Sequence, residues 1–178
     1  SFIAEENGHY FNRAFFSEPD GALTCYDKRH LFSMAGEDKH YSAGKQSVIL
    51  PYKGWNIALF VCYDLRFPVW SRNTNNKYDI AIYVANWPEA RASVWRPLLL
   101  ARAVENQAYV CGVNRTGIDG KGFNYRGESV IYSPKGKVLL DAADRTDAVE
   151  TTSISYSELE SFRAKFPVSN DADPFNLR

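Results

Sequence analysis

Two periods of hydrophobicity divide this chain. Short segments rich in aromatic and β-branched residues, bounded by Gly, Pro, Asn or Asp, carry the mark of strands. One longer segment repeats its apolar positions at helical spacing. The first residues, SFIAEENGHYFNRAFF, already read as sheet, and YFNRAFF at 10–16 forms a strand that stops at Pro19-Asp20-Gly21. There Pro fixes φ and Gly supplies a positive φ, so a turn is predicted. ALTCYDKRHLF at 22–32 is its hairpin partner, losing regularity after Lys28.

Residues 33–46 are polar and punctuated by glycine, which predicts a long loop of the kind that often carries function. SVILPY and WNIALFVC form a strand pair around Lys53-Gly54, and RFPVWSRNTNN at 66–76 is expected to be a short helix with Pro68 in its first turn. Residues 79–85 are an almost unbroken apolar run, as in strands buried on both faces. Residues 93–107 place Val94, Leu98 and Ala101 on one helical face behind an N-capping Ser93. A strand at 108–117, a hairpin turning at Pro134-Lys135-Gly136, a strand at 147–155, a helix at 157–166 and an extended tail at 167–178 complete the pattern. Helices join some strands and hairpins join others, so the fold class is mixed α/β, a sandwich rather than a purely parallel sheet.

Composition narrows the partners. The 178 residues suit one domain, residues 1–178, and 21 basic side chains balance 21 acidic ones without a dense basic run. Electrostatic capture of nucleic acid or of an anionic membrane is therefore not expected. No stretch is apolar for the roughly 20 residues that cross a bilayer, and a cytoplasmic setting is the default expectation. Cys25, Cys62 and Cys111 are odd in number and irregularly spaced, which points to free thiols rather than a disulfide framework or a zinc site.

Chemistry is most concentrated at Cys62. In NIALFVCYDLRFP an apolar strand ends at the cysteine and the chain turns abruptly polar. A thiol lifted from a core edge there, beside turn N–H groups that could receive an oxyanion, is a candidate nucleophile; equally, it is a core cysteine. Cys25 and Cys111 lie mid-strand and read as core residues. Lys28 leaves its strand beside Arg29 and His30, fit either to steady a developing negative charge or to sit in solvent. Glu37 in the loop is an acidic candidate or else an exposed surface charge, and His30 opens the alternative of a Cys–His pair. Asn86-Trp87-Pro88 follows the buried strand, where open α/β sheets bind ligands, although Trp87 would serve as well as an aromatic cap on the core. His9, His30 and His40 match no metal motif.

Taken in order, YDKRHLF, GEDKHYSAG, FVCYDLRFP, ARAVENQAYVCGVNRTG and RGESVIYSPKGKVL resemble the nitrilase superfamily of carbon–nitrogen hydrolases, in its omega-amidase-like branch. The resemblance implies an αββα sandwich, here without its first strand–helix units, commonly paired as a homodimer. It implies a Glu–Lys–Cys triad in which Cys62 is the nucleophile and Lys28 stabilises the tetrahedral intermediate. Glu37, seven residues before Gly44, matches the family's second glutamate, and the Tyr63 N–H would complete the oxyanion hole. The general-base glutamate is expected upstream of Ser1, since Glu5 and Glu6 fall in a later motif. No metal or organic cofactor is implied. The expected substrate is a small amide such as 2-oxoglutaramate or succinamate. Arg66 is a candidate for the distal carboxylate, or else a structural ion-pair partner. A dimerising module without hydrolytic activity is the alternative.

Overall fold

The computed structural model describes residues 1–142 and 147–175. The chain opens with β1 (Phe2–Glu6), β2 (His9–Ser17) and β3 (Leu23–Asp27), which make a three-stranded antiparallel sheet in the order β1-β2-β3. Asn7 and Gly8 turn the first hairpin with φ of 52° and 77°. Positive φ at both central positions matches the twist of the flanking strands, and Asn-Gly tolerates it best.

The larger sheet has six strands in the order β11-β10-β7-β6-β5-β4. Its members are β4 (Ile49–Tyr52), β5 (Trp55–Val61), β6 (Ile80–Ala85), β7 (Tyr109–Asn114), β10 (Val130–Tyr132) and β11 (Val138–Asp141). β5, β6 and β7 run parallel in register, Ile57 beside Ile80 and Ile80 beside Tyr109, while the flanking strands pair antiparallel. A small hairpin, β8 (Thr116–Ile118) and β9 (Asn124–Arg126), stands apart as a third sheet. The mixed topology expected from the sequence is the one observed.

Helix α1 (Ala92–Asn106) lies on one face of the larger sheet. Its buried stripe is Trp95, Leu99, Arg102, Ala103 and Asn106, one position on from the expected Val94, Leu98 and Ala101. The sheet sets this choice: a Cβ on Gly112 would come within 2.3 Å of Leu99 Cδ1 and 3.0 Å of Trp95, so the bare backbone of β7 makes the recess that these two side chains fill. Ser93 lies inside the helix and Arg91 is the N-cap residue, without a side-chain cap. The two-sided burial expected for 79–85 holds fully on one side only: Ala81 and Tyr83 are sealed beneath α1, whereas Ile80, Ile82 and Val84 are half-buried.

The three-stranded sheet packs through β2 against β5, with Tyr26 edge-on to Phe60 and Phe16 edge-on to Tyr52. Helix α2 (Tyr156–Lys165) is capped by the Ser155 hydroxyl, which accepts from the Glu158 N–H. It docks near the start of β6, where Arg163 bonds Asp79 at 2.7 Å.

Other expectations fail for local reasons. No helix spans 66–76; single 3-10 turns occupy Cys62–Arg66 and Thr74–Asn76. Asn73 exchanges hydrogen bonds with both backbone groups of Tyr78 and donates to the Asn106 carbonyl, which fixes an irregular loop in place of helical pairing. Residues 147–155 form no strand. Near their end, the Tyr109 hydroxyl satisfies both backbone groups of Ser155. Within the expected extended tail, Val168–Asp171 is a 3-10 turn; residues 176–178 lie outside the described residues. Cys25 is exposed rather than core, because it stands on the face of β3 turned away from β5, opposite Phe15. Cys111 is half-buried, its thiol pushed up to about 11 by burial.

Candidate active site

The carboxyl ends of β5, β6 and β7 open on one side of the sheet, the place where parallel strands present their loops to ligands. Cys62 is the first residue after β5, with φ of 47°, in the left-handed region. A non-glycine residue there is strained, and strain of this kind persists where the surrounding structure over-determines it. Asp64 is the residue that does so. Fully buried, it accepts from the Val61 N–H at 3.0 Å, the Tyr26 hydroxyl at 2.7 Å and the His30 N–H at 3.0 Å, and it meets His30 Nδ1 at 2.8 Å. Tyr26 lies in β3 and Val61 ends β5, so one carboxylate ties the strand that leads into Lys28 to the cysteine turn.

Lys28 follows β3 directly and is only 3% exposed, which requires a compensating charge. Glu37 supplies it at 2.5 Å. The same carboxylate accepts the Phe32 N–H at 2.6 Å and the Asn12 side-chain amide at 3.1 Å. Burial alone would raise the Glu37 carboxyl; Lys28, Phe32 and Asn12 outweigh it and hold the group below the usual carboxylate range. Gly44 closes this loop by donating to the Lys28 carbonyl, so near Asp27 that an added Cβ would fall 2.0 Å from its carbonyl oxygen.

Cys62 is half-buried and its thiol donates weakly to the Asn86 carbonyl at 3.7 Å. A nearby cation and the N–H groups of a turn favour the thiolate, yet burial pushes the Cys62 thiol up and Lys28 only partly offsets it. Burial thus favours the protonated thiol, with the Glu37 charge adding a smaller push in the same direction, and a base is needed to take the proton.

The remaining candidates surround this centre. The Tyr63 ring meets Phe32 and Phe67 edge-on. Arg66 is exposed, its guanidinium 5.1 Å above the Trp87 ring. Asn86 is exposed, while Trp87 is 3% exposed and packs on Trp95, with its indole N–H on the Arg91 carbonyl. Asn114 holds this loop by accepting from the Trp87 N–H and donating to its carbonyl. His30 bonds Asp64 and stacks on Phe67 at 3.7 Å, so its ring is engaged away from a Cys–His pairing. Sequence reasoning missed Asn12, Phe32, Asp64 and Arg91. Asn12 was findable as a polar residue on the strand face shared with Ala14 and Phe16; Asp64, as the acidic residue of the polar turn that follows the apolar strand. Among the described residues no cluster of His, Cys, Asp or Glu is arranged to hold a metal.

The family model for carbon–nitrogen hydrolases matches residues 1–164. The chain belongs to the carbon–nitrogen hydrolase family. It is 52% identical over 170 residues to the omega-amidase YafV of Escherichia coli K12, covering 93% of this chain and 64% of that protein. The chain thus spans just under two thirds of the length of that relative. It is 31% identical to the 2-oxoglutaramate amidase of Bacillus subtilis, covering 96% of this chain and 66% of that one. Among solved structures, a carbon–nitrogen hydrolase superfamily protein from Xanthomonas campestris, with an arsenic adduct in its active site, superposes with a TM-score of 0.95 at 42% identity. The match covers 99% of this chain and 69% of that one. The mixed α/β fold is therefore the fold of this family.

Proposed function

We propose that the whole protein hydrolyses the amide bond of a small aliphatic monoamide of a short dicarboxylic acid, in the manner of an omega-amidase, releasing ammonia. The observation that carries this reading is the buried Lys28–Glu37 pair set beside a cysteine in a left-handed turn, at the carboxyl ends of three parallel strands. A general-base carboxylate takes the proton from the Cys62 thiol, and the sulfur attacks the amide carbonyl carbon. Glu37 is committed to Lys28, Phe32 and Asn12, and Asp64 to its own partners, so the family resemblance supplies the base from upstream of Ser1. The Lys28 ammonium and the Tyr63 N–H receive the oxyanion. Collapse breaks the C–N bond, and the base returns its proton to the departing ammonia. Water then cleaves the thioester to give the carboxylate and restore the thiol.

Homologues named for omega-amides and for 2-oxoglutaramate support the substrate class. A homodimer in a reducing compartment completes the reading; sedimentation of the purified protein tests the dimer. Ammonia release from 2-oxoglutaramate tests the chemistry. Cys62→Ala and Lys28→Ala are each expected to lower kcat by roughly 1,000-fold or more. Wild-type turnover in either variant refutes the assignment.

A further inference from the structure

Two cations border the cleft without an acidic partner among the described residues, Arg66 and Arg91. Arg66 is exposed, its guanidinium 5.1 Å above the Trp87 ring. Arg91 is half-buried and reaches across the opening. Its carbonyl accepts the Trp87 indole N–H at 2.8 Å, on the wall that carries Asn86. Its guanidinium lies 4.8 Å over the Phe32 ring, on the wall that carries Lys28 and Glu37. Cys62 lies between these walls, with its sulfur on the Asn86 carbonyl and Tyr63 against Phe32. The acid nearest in sequence, Glu89, accepts from the Asn124 amide at 2.5 Å and shares Arg126, at 3.8 Å, with Glu128 at 3.5 Å, so these three charges leave Arg66 and Arg91 without a carboxylate in contact among the described residues. Lys28 is balanced by Glu37, so the unbalanced charge at this opening is positive.

Resting on the amidase reading above, we infer that Arg91 is the specificity-determining residue that binds the distal carboxylate of the substrate. A guanidinium resting on an aromatic face keeps its planar fork oriented, and a fork pairs with a carboxylate through two parallel hydrogen bonds. Partial burial strengthens that pairing relative to an exposed arginine such as Arg66. A substrate carrying methyl in place of the carboxylate leaves this cation unanswered and is selected against.

Kinetics of the whole protein on succinamate and on butyramide, its neutral counterpart of equal length, provide the test. Arg91→Met is expected to raise KM for succinamate on the order of 10- to 100-fold, with butyramide kinetics changed by less than about two-fold. Arg91→Lys, which keeps the charge without the fork, gives an intermediate KM and carries the test if Arg91→Met does not fold. Equal losses on both amides, no loss on succinamate, or a greater loss from Arg66→Met overturn the inference. Succinate binding to Cys62→Ala, followed by calorimetry, measures the same contact without turnover. Loss of that binding on adding Arg91→Met supports the site even if no amide is hydrolysed, a result that would fail only the amidase reading. Succinate affinity unchanged by Arg91→Met, or no succinate binding at all, overturns the inference.

Discussion

Lys28 is held in the interior by a single carboxylate, and the consequences are testable at that one side chain. Glu37→Gln leaves a buried ammonium without its counter-charge, which is expected to cost about 3 kcal/mol or more. Urea denaturation of the two proteins measures it. The pH dependence has a definite sign. The Glu37 carboxyl has a lower pKa folded than unfolded, so its contribution is complete above the ordinary glutamate value of about 4.3 and disappears as pH falls through the lower folded value. Acid titration of stability should therefore show a loss across that window in wild type that Glu37→Gln lacks. Asp64 accepts from groups that donate on every side, so Asp64→Asn must point an N–H at another donor. The expected result is a fall in kcat of roughly 10-fold or more with KM little changed, because the turn that aims Cys62 is released while the cleft walls remain.

At the scale of elements, the close approach of α1 to β7 depends on one missing side chain. Gly112→Ala forces Leu99 and Trp95 aside and is expected to destabilise by about 1–3 kcal/mol in chemical denaturation. This contact also shows where sequence reading stopped. The helix itself was legible from its period, but its buried face was not, because the recess at Gly112 belongs to a strand that follows it. The strands β5, β6 and β7 were plain from their apolar runs. The hairpin β8–β9 was not, since Thr116–Ile118 and Asn124–Arg126 are short and largely polar. Cys62 was recognisable as the place where apolar sequence turns polar. Its left-handed backbone and its raised thiol were hidden, because both come from burial and from Asp64's long-range partners.

Across the whole molecule, α2 is fastened by a pair far apart in sequence, Arg163 on Asp79, with further bonds from Arg163 to the carbonyls of Tyr78 and Gln107. Arg163→Met strands a 3%-exposed Asp79 side chain and is expected to cost about 3–5 kcal/mol, read as a lowered melting temperature. No local pattern announces such a contact. The Asp64 tie between β3 and the cysteine turn has a bearing on motion. Lysine and cysteine are fastened to one block, whereas the β8–β9 hairpin meets the 3-10 turn Glu89–Arg91 through Asn124 and Arg126 on Glu89, so the hairpin is expected to be the looser of the two. Hydrogen–deuterium exchange would then be slow at Val61 and His30, fast along residues 116–126, and the gap between those rates would report how the cleft breathes.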